Sequence, residues 1–171
     1  MDRAALDFAI HCDIEHGGWC PKNRRAEDGP LAEHYRLTQT ESSSYAVRTR
    51  LNVRDSDATL VLHADPMGRG TALTLKILRQ SHHPHLRITL PSENEATPSS
   101  PPPASAHDAS LIAPEPPMDG DSFVAHTAPR IVRWLDHHRP QTLNVAGSRE
   151  TSHSPVYSIT WDLLAAVWQS V

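Results

Sequence analysis

Three cationic side chains lie close together at Lys22, Arg24 and Arg25. A guanidinium can bond two oxygens of a phosphate-like anion at once, and lysine adds a further positive charge. The acidic residues Glu27 and Asp28 follow and could orient the arginines. The same composition fits a solvated loop with internal ion pairs, which contribute little to stability. The residues alone favour the solvated loop, and an anion site is the alternative.

A second candidate is the run Gly68-Arg69-Gly70-Thr71, which lies between a predicted strand and a predicted helix. Glycines let the backbone approach a ligand, and the amides at a helix start attract anions. Thr71 and Thr74 add hydroxyl groups. An ordinary strand-to-helix turn, with Thr71 near the cap, accounts for the pattern equally well.

The third candidate is Gly147-Ser148-Arg149, directly after a predicted strand. Gly147 permits a tight turn, Ser148 can cap a helix, and Arg149 offers a fork of donors. A plain surface connection is the alternative. The position beyond the end of a strand favours binding.

Two carboxylates, Asp55 and Asp57, lie at a predicted helix-to-strand junction. Aspartates at such junctions usually cap or form turns, although a carboxylate pair can also perform acid-base chemistry or hold a metal. We expect a structural role for Asp57 and leave Asp55 open.

Other chemically reactive residues give no recognisable site. The spacing of His11, Cys12, His16 and Cys20 matches neither a zinc finger nor a zinc ribbon, so we expect no structural metal. No serine or cysteine stands in a recognisable triad with histidine, so the sequence identifies no catalytic residue.

The elements that must position these residues alternate along the chain. Apolar periodicity predicts helices at 4–10, 45–53, 71–79, 123–138 and 157–171, and strands at 14–19, 58–63, 85–90 and 142–146. This alternation predicts an α/β fold with a doubly wound, mostly parallel sheet. Such sheets bind ligands at the carboxyl ends of their strands, so loops 20–43, 64–70 and 147–155 are the places to search.

One stretch interrupts this pattern. Residues 91–122 hold eight of the 15 prolines and no aromatic residue. That composition cannot bury enough apolar surface to offset an ordering cost of about 1–2 kcal/mol per residue. We therefore expect a disordered insertion between residues 1–90 and 123–171, which together form one domain.

Composition excludes several classes of protein. The formal net charge is -4, whereas a nucleic-acid binder usually has a basic surplus, so we expect no nucleic-acid partner. No apolar run is long enough to cross a membrane, and the N-terminus does not have the pattern of a signal peptide. With two cysteines only, we expect a reducing, cytoplasmic location.

Taken together, four segments resemble one family: 1–10, 16–29, 52–57 with 70–74, and 143–150. The chain is similar to the molybdenum carrier family, a circularly permuted branch of the SLOG-type Rossmann-like domains. The resemblance implies a Rossmann-like domain that binds a phosphorylated pterin, such as molybdenum cofactor, or a nucleotide-like anion, without catalysis. It also implies a homo-oligomer.

The resemblance assigns roles to the three candidate loops. Lys22, Arg24 and Arg25 would hold anionic oxygens, and Gly70 with Thr71 would cradle a phosphate. The loop of Gly147, Ser148 and Arg149 would match the Gly-Ser-Arg type loop that SLOG domains use for ligands.

The chain also departs from the family pattern. A strand and a Gly-Gly-Gln-Thr-Gly segment usually precede the residues that correspond to Asp2-Arg3, so we expect the sheet to lack its first strand. Glycine is usual at Asn23 and at Arg69, where a side chain could occupy the space of a phosphate. These departures make a truncated chain with reduced ligand binding one alternative. The resemblance itself gives the other, a nucleotide-processing hydrolase of the SLOG type with Asp55 or Glu27 as acid or base.

Overall fold

The computed structural model describes residues 2–26, 29–91, 120–148 and 156–170. Its α-helices are α1 Asp2–His11, α2 Tyr45–Arg54, α3 Arg69–Gln80, α4 Gly120–His138 and α5 Val156–Trp168. All five were predicted from apolar periodicity, and their ends lie within three residues of the predictions. No helix in these ranges is both long and apolar enough to span a bilayer.

The strands differ greatly in length. They are β1 Trp19–Cys20, β2 Arg25–Ala26, β3 Gly29–Pro30, β4 Thr38–Gln39, β5 Ala58–His63, β6 His85–Thr89 and β7 Leu143–Gly147. The last three form the main sheet in the order β6-β5-β7, and β5 is parallel to both neighbours. The predicted parallel α/β sheet is therefore confirmed.

Strand β5 is central because its sequence allows burial on both faces. All six of its residues are buried, as expected for a strand of a doubly covered parallel sheet. Leu60 and Leu62 pack with α4 and α5 on one face. Val61 packs with α2 and α3 on the other.

The strand order reverses at β5. The chain leaves β5 through α3 to β6, and it returns past β5 through α4 to β7. The carboxyl ends of β5 and β7 therefore flank the switch point where doubly wound sheets bind ligands. Among the described residues, β7 pairs with β5 on one side and with no strand on the other.

Two predictions along the chain were wrong in detail. The strand predicted at 14–19 is reduced to Trp19–Cys20, because Gly18 takes φ +125° and the Trp19 amide bonds a side chain of α2. The loop predicted at 20–43 contains β2, β3, β4 and a 3₁₀ turn at Lys22–Arg24. Side chains rather than long strands hold this region together.

The proline-rich stretch is described only at its ends. Helix α4 begins at Gly120, three residues before its predicted start, and so takes in the last residues of the expected insertion. Residues 92–119 lie outside the described ranges, so their disorder stays a prediction.

Candidate functional site

The loops that follow β5 and β7 are joined by one serine. The Ser148 amide donates to the carbonyl of Leu62 at 3.1 Å, and the Ser148 hydroxyl accepts from the Ala64 amide at 3.0 Å. We call residues 62–71 and 147–148 the carboxyl edge. The structure thus brings Gly147 and Ser148 together with the loop that leads to Gly70 and Thr71, while Arg149 lies outside the described residues.

Helix α3 begins at this edge without a side-chain cap. Gly68 is its N-cap and makes no capping side-chain bond. A Cβ added at Gly68 or Gly70 would meet nothing within 4 Å, so the approach to the first turn is open. Thr71 is 2% exposed, so the exposed residues Arg69 and Gly70 carry the more accessible backbone amides of the turn.

Arg69 stands at the first position of α3 with an exposed side chain. The residue therefore does not fill the loop interior, which was the concern raised by its replacement of a glycine. A cation at a helix N-terminus is unfavourable beside the positive end of the helix dipole. A bound anion would remove that penalty.

The last residue of β5, His63, was missed by the sequence predictions. Its side chain is 0% exposed, and its Nε2 accepts a hydrogen bond from Arg87 Nε at 2.7 Å. Its Nδ1 lies 3.5 Å from Asp65 Oδ1. The available signal was a polar residue closing an otherwise apolar run, since a buried histidine requires partners.

Arg24 organises a separate region, residues 19–26 and 29–39, which we call the small-strand segment. Its guanidinium donates to four backbone carbonyls, those of Leu31, Ala32, Tyr35 and Leu37, at 2.6–3.4 Å. Most of its five N–H donors are therefore engaged by the chain itself. Among the cationic trio, Arg24 thus shapes the loop on which the other two lie.

Lys22 and Arg25 are exposed on that loop. The Arg25 guanidinium lies 5.5 Å from the ring centre of Tyr45 at the start of α2. Asn23 between them takes φ +61°, a left-handed conformation that asparagine tolerates. This explains how asparagine can replace the glycine usual at this position.

Helix α2 anchors the small-strand segment through Trp19. The Trp19 amide donates to Asn52 Oδ1 at 2.6 Å, and its indole Nε1 donates to Asp55 Oδ2 at 2.7 Å. A Cβ on Gly18 would stand 3.2 Å from Asn52 Oδ1, so glycine suits this close approach. The Gly-Gly-Trp run is therefore fastened to α2 at two points.

The carboxylate of Asp55 takes part in this anchor. Arg54 donates to both of its carboxylate oxygens, at 2.6 and 2.8 Å. The hydrogen bonds from Arg54 and Trp19 lower the pKa of Asp55 to about 2, which makes it a poor general base near neutral pH. Asp57 accepts from the amides of Gln141 and Thr142 at 2.9 and 2.8 Å, so its expected structural role is confirmed.

A shared carboxylate connects the small-strand segment to α1 and α5. Asp7 accepts from Tyr35 Oη at 2.7 Å and from Tyr157 Oη at 2.8 Å. Burial, followed by the hydrogen bond to Asp7, raises the pKa of Tyr35 to about 12. A cavity of about 200 Å³ lies beside it, lined by Arg3, Pro30, Leu31, Ala32 and Tyr35, which is small for a pterin or nucleotide.

The two cysteines do not form a reactive or metal-binding site. Cys20 is buried, and burial raises the pKa of its thiol, while Cys12 is half-buried. Within the described ranges, no group of three or more His, Cys, Asp or Glu side chains is placed to hold a metal ion.

Comparison with known proteins gives two likenesses. A family model described as the circularly permutated YpsA SLOG family matches residues 1–100. A crystal structure from Syntrophus aciditrophicus SB, of a protein provisionally named a molybdenum carrier, superimposes with a TM-score of 0.76 at 34% sequence identity. The match covers 97% of this chain and 87% of that one. A search of curated proteins finds no match.

Proposed function

We propose that this chain, which belongs to the circularly permutated YpsA SLOG family, binds and carries a phosphorylated pterin or nucleotide-like anion without catalysing a reaction on it. The family assignment confirms the resemblance of the four sequence segments. The name of the similar structure, a molybdenum carrier, makes molybdenum cofactor the first cargo to test.

The carboxyl edge carries this proposal. The backbone amides in the first turn of α3 have no side-chain cap. Ser148 holds the neighbouring loop beside this turn. Both features lie at the switch point between β5 and β7, where open α/β sheets accept ligands. An anion here would meet the positive end of the α3 dipole and the exposed guanidinium of Arg69.

The residues present fit a phosphorylated cargo. Its phosphate would bond the exposed first-turn amides at Arg69 and Gly70, beside the buried Thr71, with Ser148 on the other side of the switch point. Lys22 and Arg25 would supply exposed positive charge for further oxyanion groups, on a loop that Arg24 keeps in shape. The small-strand segment would thus be a second, more adaptable contact.

The hydrolase alternative gains no support from Asp55. This carboxylate is bonded to Arg54 and Trp19 and stays ionised down to a pH of about 2. Glu27, the other acid-base candidate, lies outside the described residues. A carrier remains the function that the site supports best.

Binding can be tested by isothermal titration with molybdenum cofactor, molybdate, inorganic phosphate and guanosine monophosphate. The expected result is binding of at least one phosphorylated compound, weakened several-fold in the double variant Lys22→Ala/Arg25→Ala. The matched control is Lys76→Ala/Arg79→Ala, which removes the same charge from the exposed side of α3. Failure of the folded protein to bind either phosphorylated organic ligand, molybdenum cofactor or guanosine monophosphate, would overturn the proposal.

The homo-oligomer implied by the family resemblance belongs to the same proposal. Light scattering coupled to size exclusion, with and without ligand, measures it directly. A monomer under both conditions would contradict it and would leave the binding test unaffected.

A further inference from the structure

The imidazole of His63 is fixed in one orientation by strand β6. Register pairs His63 with Thr89 and Val61 with Arg87, so both β6 side chains lie on the same face of the sheet as His63. Arg87 Nε is 2.7 Å from His63 Nε2, and Thr89 Oγ1 is 3.2 Å from it. Because arginine can only donate, Nε2 is the acceptor and the ring proton of the neutral imidazole lies on Nδ1.

That proton finds no hydrogen-bond acceptor among the described residues. The ring is 0% exposed, so water does not replace the missing acceptor at the surface. Asp65 Oδ1 is 3.5 Å away and not in hydrogen-bonding geometry. A buried donor without an acceptor is costly, and a small rotation of the Asp65 carboxylate would satisfy it.

Asp65 itself stands at the carboxyl edge. Its side chain is 67% exposed, and it lies between Ala64, which bonds Ser148, and Gly68, the N-cap of α3. A carboxylate accepts hydrogen bonds and repels a phosphate. At an edge otherwise suited to anions, this carboxylate therefore suits the part of a ligand that donates.

We propose that Asp65 accepts a hydrogen bond from a hydroxyl or N–H group of the ligand whose phosphate lies at the start of α3. His63, oriented by Arg87, acts as a positioning residue for the Asp65 carboxylate. This inference rests on the proposed function, since it requires a ligand at the carboxyl edge. It narrows the ligand to phosphorylated compounds with a donor group near the phosphate, such as a pterin N–H or a ribose hydroxyl, over bare oxyanions.

The test compares ligands with and without donor groups. Isothermal titration of the full chain uses molybdenum cofactor, guanosine monophosphate, its 2′,3′-dideoxy analogue and inorganic phosphate. Asp65→Ala is expected to weaken the tighter organic ligand by about tenfold or more, as for a lost hydrogen bond to a charged group. Inorganic phosphate should bind equally or more tightly, because a negative charge has been removed.

The four ligands also separate the two sources of the donor group. If ribose supplies it, the dideoxy analogue binds the wild type as weakly as guanosine monophosphate binds Asp65→Ala. If the pterin supplies the donor group, molybdenum cofactor is the ligand whose affinity falls in Asp65→Ala. Asp136→Ala is the matched control, because Asp136 is exposed near the end of α4, which leads to the opposite edge of the sheet.

The role of His63 needs a separate readout, the ratio of affinities for the organic ligand and for phosphate. His63→Asn places an amide N–H where Nδ1 was and should keep most of this ratio. His63→Leu should lower the ratio about as far as Asp65→Ala does. Arg87→Met, which removes the donor to Nε2, gives the same test if His63→Leu does not fold.

The outcomes distinguish this inference from the proposed function. If the wild type binds none of the organic ligands, both the inference and the carrier proposal are wrong. If it binds one and Asp65→Ala binds that ligand equally well, the inference is wrong and the carrier proposal stands. If His63→Leu or Arg87→Met lowers the melting temperature without changing the affinity ratio, the positioning role is wrong.

Discussion

The carboxyl edge and the small-strand segment are held in place by different kinds of hydrogen bond. At the edge, five-residue and six-residue strands set the backbone, and Ser148 adds a link between loops whose ends the sheet already fixes. In the small-strand segment no strand exceeds two residues, and Arg24 and Asn52 replace the missing ladder with side-chain bonds to backbone. Loops on the sheet are positioned by the core, whereas the segment depends on a few polar residues.

The largest expected effect is at Leu62, the buried first residue of the carboxyl edge. Leu62→Ala removes a wholly buried side chain and should lower the free energy of unfolding by about 3 kcal/mol, through lost burial and a residual cavity. Urea denaturation measures it, with Ile10→Ala, 41% exposed, as the control that should change little. A loss below about 1 kcal/mol would show that this face of β5 repacks easily.

The next largest effect is at Arg24 and tests whether the small-strand segment unfolds separately from the main sheet. Arg24→Ala removes the guanidinium from four backbone carbonyls, of which Ala32 and Tyr35 keep a backbone N–H donor. The loss should cost about 2 kcal/mol, with faster amide exchange confined to the small-strand segment. Arg24→Lys should restore little of the lost stability, because an ammonium lacks the planar fork of N–H donors that a guanidinium has. Arg36→Ala, an exposed arginine of the same segment, is the control. Equally fast exchange in β5 would mean that the two regions unfold as one unit.

A smaller effect is expected at the anchor on α2. Asn52→Ala leaves the Trp19 amide without its 2.6 Å acceptor and should cost about 1–2 kcal/mol, the penalty for a partly buried unsatisfied donor. Arg50→Ala, exposed on the same helix, should be nearly neutral. Hydrogen exchange at Trp19 reports the change, and unchanged protection there would contradict the proposed anchor.

The smallest effect is a pH dependence at Asp55. Its pKa in the folded protein is about 2, below the ordinary value of 3.8. Its contribution to stability is therefore complete above a pH of about 4 and is lost as the pH falls towards about 2. The difference in urea midpoint between wild type and Asp55→Asn should narrow over that interval. A constant difference would show that the Arg54 and Trp19 bonds do not depend on the charge.

The sequence by itself determined the helices and the three long strands. Their apolar spacing is a local property, since a helix or strand presents its buried residues at a fixed repeat. The run 58–63 predicted β5 to the residue. The same reasoning failed at 14–19, where a glycine pair and a side chain of α2 decide the conformation.

Only the tertiary structure decided which polar residues meet. Ser148 bonds Ala64 across 84 positions of sequence, and His63 meets Arg87 across 24, distances at which no repeat in the chain carries information. Arg24 illustrates the same limit, because a guanidinium suited to an anion is equally suited to carbonyls. The packing around each donor fixes its partner, and that packing depends on the whole chain.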